Sequence, residues 1–169
     1  MCSRSNRDMK GKRIALYGLL IALAFIFSYI EMLIPLPLPA GVKLGAANIV
    51  VLTALYLLGL KEAFAISMVR IVLSGFAFGI GTVPYSLAGG LLSLLLMALL
   101  KRSGKFGIAG VSVAGGVAHN VGQTLVAMVL LGTKTAFYFP MLFFSGIIAG
   151  ILIGLISSVV LKKLQGLKA

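Results

Sequence analysis

The chain has 169 residues, of which 60% are hydrophobic and 11% charged, with a net charge of +12; soluble domains run near about 45–50% and about 25%. That balance excludes a water-solvated globular domain and leaves room for one membrane domain of about six spans at roughly 20 residues each. The basic excess does not read as nucleic-acid binding, because no basic stripe with interleaved aromatics occurs and the cations fall between apolar runs.

In chain order, residues 1–13 form a basic segment (Arg4, Arg7, Lys10, Lys12, Arg13) whose lone cysteine, Cys2, has no CxxC or metal-ligand spacing around it and reads as an inert cytosolic thiol. The following apolar run, 14–34, is too long for a secretory signal core and ends in a proline-rich turn without an A-x-A site, so it is read as the first membrane helix. Further spans are predicted near 44–60, 63–80, 83–100, 107–131 and 139–161. They are punctuated at Pro35, Pro37 and Pro39, at Gly59 with Lys61 and Glu62, at Gly79 and Gly81 before Pro84, at Lys101 to Lys105, and at Gly132 to Pro140. Continuous apolar runs without alternation favour helices over lipid-facing barrel strands.

The predicted fold is an all-α integral membrane protein, a six-transmembrane-helix bundle forming one domain over 14–164, with a short tail at 165–169. With the N-terminus inside, twelve basic residues lie on the cytoplasmic side, and only Lys43 and Lys134 outside, leaving Arg70 within a span. This asymmetry places both termini in the cytoplasm; the expected location is a cell membrane, as a multi-pass protein of the bacterial cytoplasmic membrane.

Small residues recur at helical spacing at Gly146, Gly150, Gly154 and Ser158, and at Ala15, Gly18 and Ala22. Such ridges let backbones approach closely, either inside the bundle or at a docking face for another membrane protein. The glycine ridge of the last helix is also the only motive for a homo-oligomeric pore.

Polar groups inside a membrane carry an insertion cost, roughly 2.5–3.5 kcal/mol for a central arginine on insertion scales. Arg70, His119 and Asn120 are placed by their position along their helices in the middle layers, and Gln123 follows His119 by one turn. Glu31, Asn48 and Tyr85 lie toward the outer ends of their spans and Lys43 in an outer loop. These eight residues are the candidate lining of an outward-open cavity. Its positive formal charge favours an anionic or carboxylate-bearing small molecule. The competing structural readings are interhelical hydrogen bonding for Asn120 and Gln123, and pairing of Arg70 with Glu31 or a backbone carbonyl.

The absences are equally informative. The acidic residues are Asp8, Glu31 and Glu62, so there is no carboxylate pair for acid–base catalysis and no aspartate-rich motif to hold magnesium on a diphosphate. His119 has no second histidine or carboxylate at ligand spacing, and no phosphate-binding G-x-x-x-x-G-K-[ST] loop occurs. The expectation is a non-enzymatic protein with no catalytic residue, no metal and no cofactor.

The run from Ala22 to Glu31, the Pro35-Leu-Pro-Leu-Pro39 turn, Gly41-Val-Lys-Leu-Gly-Ala-Ala-Asn48 and the Gly59-Leu-Lys-Glu62 turn resemble the substrate-binding S components of energy-coupling-factor transporters. Tyr85-Ser-Leu-Ala-Gly-Gly90 and Gly115-Gly-Val-Ala-His-Asn-Val-Gly-Gln123 look more specifically like the Gx transporter family, also labelled heptaprenyl diphosphate synthase component I. The resemblance extends from about residue 10 to 164. It implies a six-helix fold with both termini inside and an outward pocket for a vitamin-like micronutrient. The implied partners are a transmembrane T component, docked on the Ala15, Gly18 and Ala22 face, and two cytosolic ATPases. The docking pattern reads Gly18-x-x-x-Ala22 where the family has alanine at both positions. The synthase label implies an alternative, an accessory membrane subunit linked to prenyl diphosphate and quinone metabolism or flavin-dependent electron transfer.

Overall fold

A computed structural model describes residues 2–34 and 42–166, so the Pro35 to Pro39 break lies outside the described residues. Within them the chain is all helical: α1 Cys2–Leu33, α2 Asn48–Leu57, α3 Leu60–Phe78, α4 Val83–Ser103, α5 Ile108–Leu131 and α6 Phe139–Gly166, with 3-10 turns at Ile80–Thr82 and Thr133–Tyr138 and no strand. Four segments are long and apolar enough to cross a membrane: Arg13–Leu33, Ile80–Ser103, Ile108–Leu131 and Thr133–Leu164. The 19-residue α3 carries Lys61, Glu62 and Arg70.

The predicted span at 44–60 is helical only over part of its length. Its helix, α2, has ten residues, about 15 Å at 1.5 Å per residue, too short to cross a bilayer alone. The cause is local. Gly45 adopts φ 87°, and a Cβ there would lie 2.7 Å from His119 Cδ2, so the chain from Val42 to Ala47 reaches the bundle as non-helical backbone and coils only from Asn48.

The helices are arranged with their polar sides inward. On α3 the buried positions Ala63, Ile66, Ser67, Arg70, Ile71, Ser74 and Gly75 recur with helical period, while Phe64, Val69, Val72, Leu73 and Phe76 face out, Phe76 at 82% exposure. On α4, Ser86, Gly89, Gly90 and Ser93 are buried and Leu87, Leu91, Leu92, Leu95 and Leu99 exposed. A water-solvated helix does the reverse, and soluble monomers rarely expose apolar patches of this extent. In lipid, the large apolar side chains lose nothing by facing outward.

α2 packs against every other α-helix, whereas α1 meets only α2 and α3 among the described residues. Both ends of α2 are held by charged side chains from elsewhere in the chain. At its N-terminal approach, Glu31 of α1 accepts hydrogen bonds from the backbone N–H of Gly45 at 2.5 Å and of Ala46 at 3.3 Å. At its C-terminal turn, Lys101 of α4 donates to the Leu55 carbonyl at 2.6 Å and lies over the Tyr56 ring, 4.8 Å from its centroid. An anion at the amino end and a cation at the carboxyl end both suit the helix dipole. Lys101→Met keeps the length of the side chain and removes its charge. It is expected to destabilise the protein by about 1 kcal/mol, read as a lowered midpoint of thermal unfolding in detergent, with Lys101→Arg retaining most of the stability.

The tightest packing joins α4, α5 and α6. A Cβ on Gly116 would lie 2.5 Å from the Gly146 carbonyl oxygen, one on Gly150 2.5 Å from Val113 Cα, and one on Gly154 2.7 Å from Ala109 Cα. The Gly146, Gly150 and Gly154 ridge is therefore taken up inside the bundle by α5, which removes the motive for a pore. Ala15, Gly18 and Ala22 are exposed, and a Cβ on Gly18 would meet nothing within 4 Å.

Candidate functional site

The chemistry of the interior centres on the chain ahead of α2. The Lys43 backbone N–H donates to Gln123 Oε1 at 2.6 Å. Because that backbone group can only donate, the orientation of the Gln123 amide is set, and its Nε2 donates in turn to His119 Nε2 in a short contact. A His119 Nε2 that accepts leaves the ring proton on Nδ1, so the imidazole is the neutral tautomer, its Nδ1 lying against Gly89. Gly89 is required here: a Cβ would stand 2.9 Å from Nδ1 and 2.8 Å from the His119 carbonyl oxygen.

Lys43, expected in an outer loop, is buried, at 7% exposure. Its ammonium has no hydrogen-bond partner and lies 4.5 Å from the centroid of Phe78, an attractive placement for a cation.

Arg70, 3% exposed, donates from Nη1 to Ser28 Oγ at 3.3 Å. It does not form the ion pair with Glu31 that was one sequence expectation; the ion pair found among the described residues joins Arg13 to Glu62 at 3.5 Å. Its Nε and Nη2 are buried without acceptors. Those two groups form one edge of the guanidinium, the edge that can hold a carboxylate through two parallel bonds. Asn48 Nδ2 is buried and unpartnered too.

Glu31, Lys43, Asn48, Arg70, His119 and Gln123 are therefore brought into one buried polar cluster where α1, α2, α3 and α5 meet. Asn120 and Tyr85 are directed elsewhere. Asn120 Nδ2 donates to the Leu142 carbonyl at 2.6 Å and to Ser145 Oγ at 3.3 Å, tying α5 to α6. Tyr85 packs with Val42, Ala127 and Leu142. The sequence reading missed Ser28, the hydrogen-bond partner of Arg70, and Ser67 and Ser74, which are buried one turn to either side of Arg70 on α3 with unpartnered hydroxyls. Their spacing from Arg70, about one turn to either side on the same helix, was the available signal.

Among the described residues, apolar grooves on the flanks lie apart from this cluster, one of about 500 Å³ between Leu60, Phe64, Leu91, Leu95 and Ala98. No group of three or more histidine, cysteine, aspartate or glutamate side chains is positioned to hold a metal among the described residues.

Outward apolar faces, four helices of spanning length and a buried charged cluster are together the features of a helical membrane protein. The heptaprenyl diphosphate synthase component I family matches residues 20–160, and the chain belongs to that family. No curated protein and no solved structure matches it.

Proposed function

We propose that the chain is the membrane-embedded substrate-binding component of an energy-coupling-factor type transporter. In this reading it is a non-catalytic protein that captures a small anionic molecule from outside for ATP-driven uptake by partner subunits. The observation that carries the reading is the set of buried donors without acceptors, Arg70 Nε and Nη2, Lys43 Nζ and Asn48 Nδ2. Leaving such groups unpaired costs roughly 1–3 kcal/mol each, more when charged, so a ligand that supplies acceptors recovers energy the empty protein forgoes. The reading takes the helices as six membrane-crossing elements, α2 completed by the chain before it, with both termini in the cytoplasm. It assigns the exposed Ala15, Gly18 and Ala22 face to the T component.

The family description favours a second reading, an accessory membrane subunit of a prenyl diphosphate synthase. Affinity purification of the tagged chain from its native membrane separates the two. Recovery of a second membrane protein with a pair of ATPases is expected; recovery of a soluble prenyl synthase in their place would overturn the transporter reading.

A further inference from the structure

The cluster holds three formal charges of unequal number. Lys43 and Arg70 are cationic, Glu31 is anionic, and His119 is held neutral by the hydrogen-bond chain from Lys43 N–H through Gln123. Both Glu31 oxygens accept from backbone N–H groups ahead of α2, the pattern of an ionised carboxylate. The sum is +1.

Glu31 occupies none of the free donors. Its oxygens are taken up by Gly45 and Ala46, while the Arg70 edge, the Lys43 ammonium and the Asn48 amide are buried without a hydrogen-bond partner. A ligand that takes up these donors need not displace Glu31 from its own hydrogen bonds. In a low-dielectric interior an uncompensated charge is costly, so the best occupant is the one that brings the local sum to zero.

We propose that this cluster is a site for a singly charged carboxylate, held on the free Nε–Nη2 edge of Arg70, and that Glu31 is the specificity-determining residue that excludes doubly charged anions by limiting the net charge to +1. The proposal deepens the reading of the chain as a substrate-binding component by naming the class of ligand. A monocarboxylate neutralises the site. A dicarboxylate or a phosphate dianion leaves a net negative charge beside Glu31 and is repelled.

The test uses acetate and succinate as probes on the full-length protein in detergent, following the saturable part of the rise in thermal stability at constant ionic strength. The wild-type protein is expected to half-saturate at lower acetate than succinate. Glu31→Gln keeps an oxygen acceptor for the Gly45 N–H and raises the sum to +2, so the order is expected to reverse, with succinate favoured by on the order of tenfold. Lys43→Gln lowers the sum to zero and is expected to lose saturable binding of both probes. The same preference for acetate in wild type and Glu31→Gln would overturn the proposal. If Glu31→Gln does not fold, undiminished acetate binding by Lys43→Gln overturns it instead. Charge-ordered binding in a chain that purifies with a prenyl synthase would sink the transporter reading and leave this one standing. Purification with a T component and ATPases but no charge ordering would do the opposite.

Discussion

Replacing Gly150 with leucine should prevent the bundle from assembling, whereas the same change at Gly18 should leave it folded. Both glycines belong to small-residue ridges that look alike in the sequence. At Gly150 a Cβ alone would sit 2.5 Å from Val113 Cα and 3.0 Å from the Ser112 carbonyl oxygen, and these are backbone atoms of α5 that cannot rotate away. Overpacking a core ordinarily costs about 1–3 kcal/mol; a branched side chain driven into a facing helix backbone exceeds that and forces α5 and α6 apart. At Gly18 nothing lies within 4 Å. Recovery of monodisperse protein by size exclusion in detergent measures both. A folded, stable Gly150→Leu protein would mean that α5 and α6 do not pack as described.

Arg70→Lys should weaken binding of a carboxylate probe such as acetate by on the order of 1–3 kcal/mol, the scale of a hydrogen bond to a charged group. The change keeps the positive charge and deletes the planar edge that Nε and Nη2 present. It also removes the bond to Ser28 Oγ at 3.3 Å, so a modest fall in the stability of the empty protein is expected alongside. The two effects are read on one preparation, by titration and by thermal unfolding. Unchanged affinity with a lowered melting temperature would take Arg70 out of the site and leave it a structural residue.

The helices with strong apolar runs were legible almost in full, because lipid imposes a length and a composition that the residues display directly: 107–131 and 139–161 in the sequence became Ile108–Leu131 and Phe139–Gly166. The second helix was not, because its apolar run continues through Gly45, and neither the positive φ of Gly45 nor its close packing on His119 can be read from that run. The polar residues could be enumerated but not aimed. His119 and Asn120 are adjacent in sequence, yet the first turns to Gln123 and the second to α6; a helix separates neighbouring side chains by about a hundred degrees, and only packing says which direction is the site. Lys101 carried no hint of its partner, since it reads as an ordinary boundary cation and meets Leu55 only through tertiary structure.

The two end contacts of α2 have a mechanical consequence. α1 and α4 do not touch among the described residues, but Glu31 of the first and Lys101 of the second each grip an end of the same ten-residue helix. α2 is thus a tie-rod between an outer helix and the tightly packed α4, α5 and α6 block. Glu31 in the buried polar cluster and Lys101 at the far end of α2 are thereby joined through one short helix, alongside the packing of α3 on both α1 and α4.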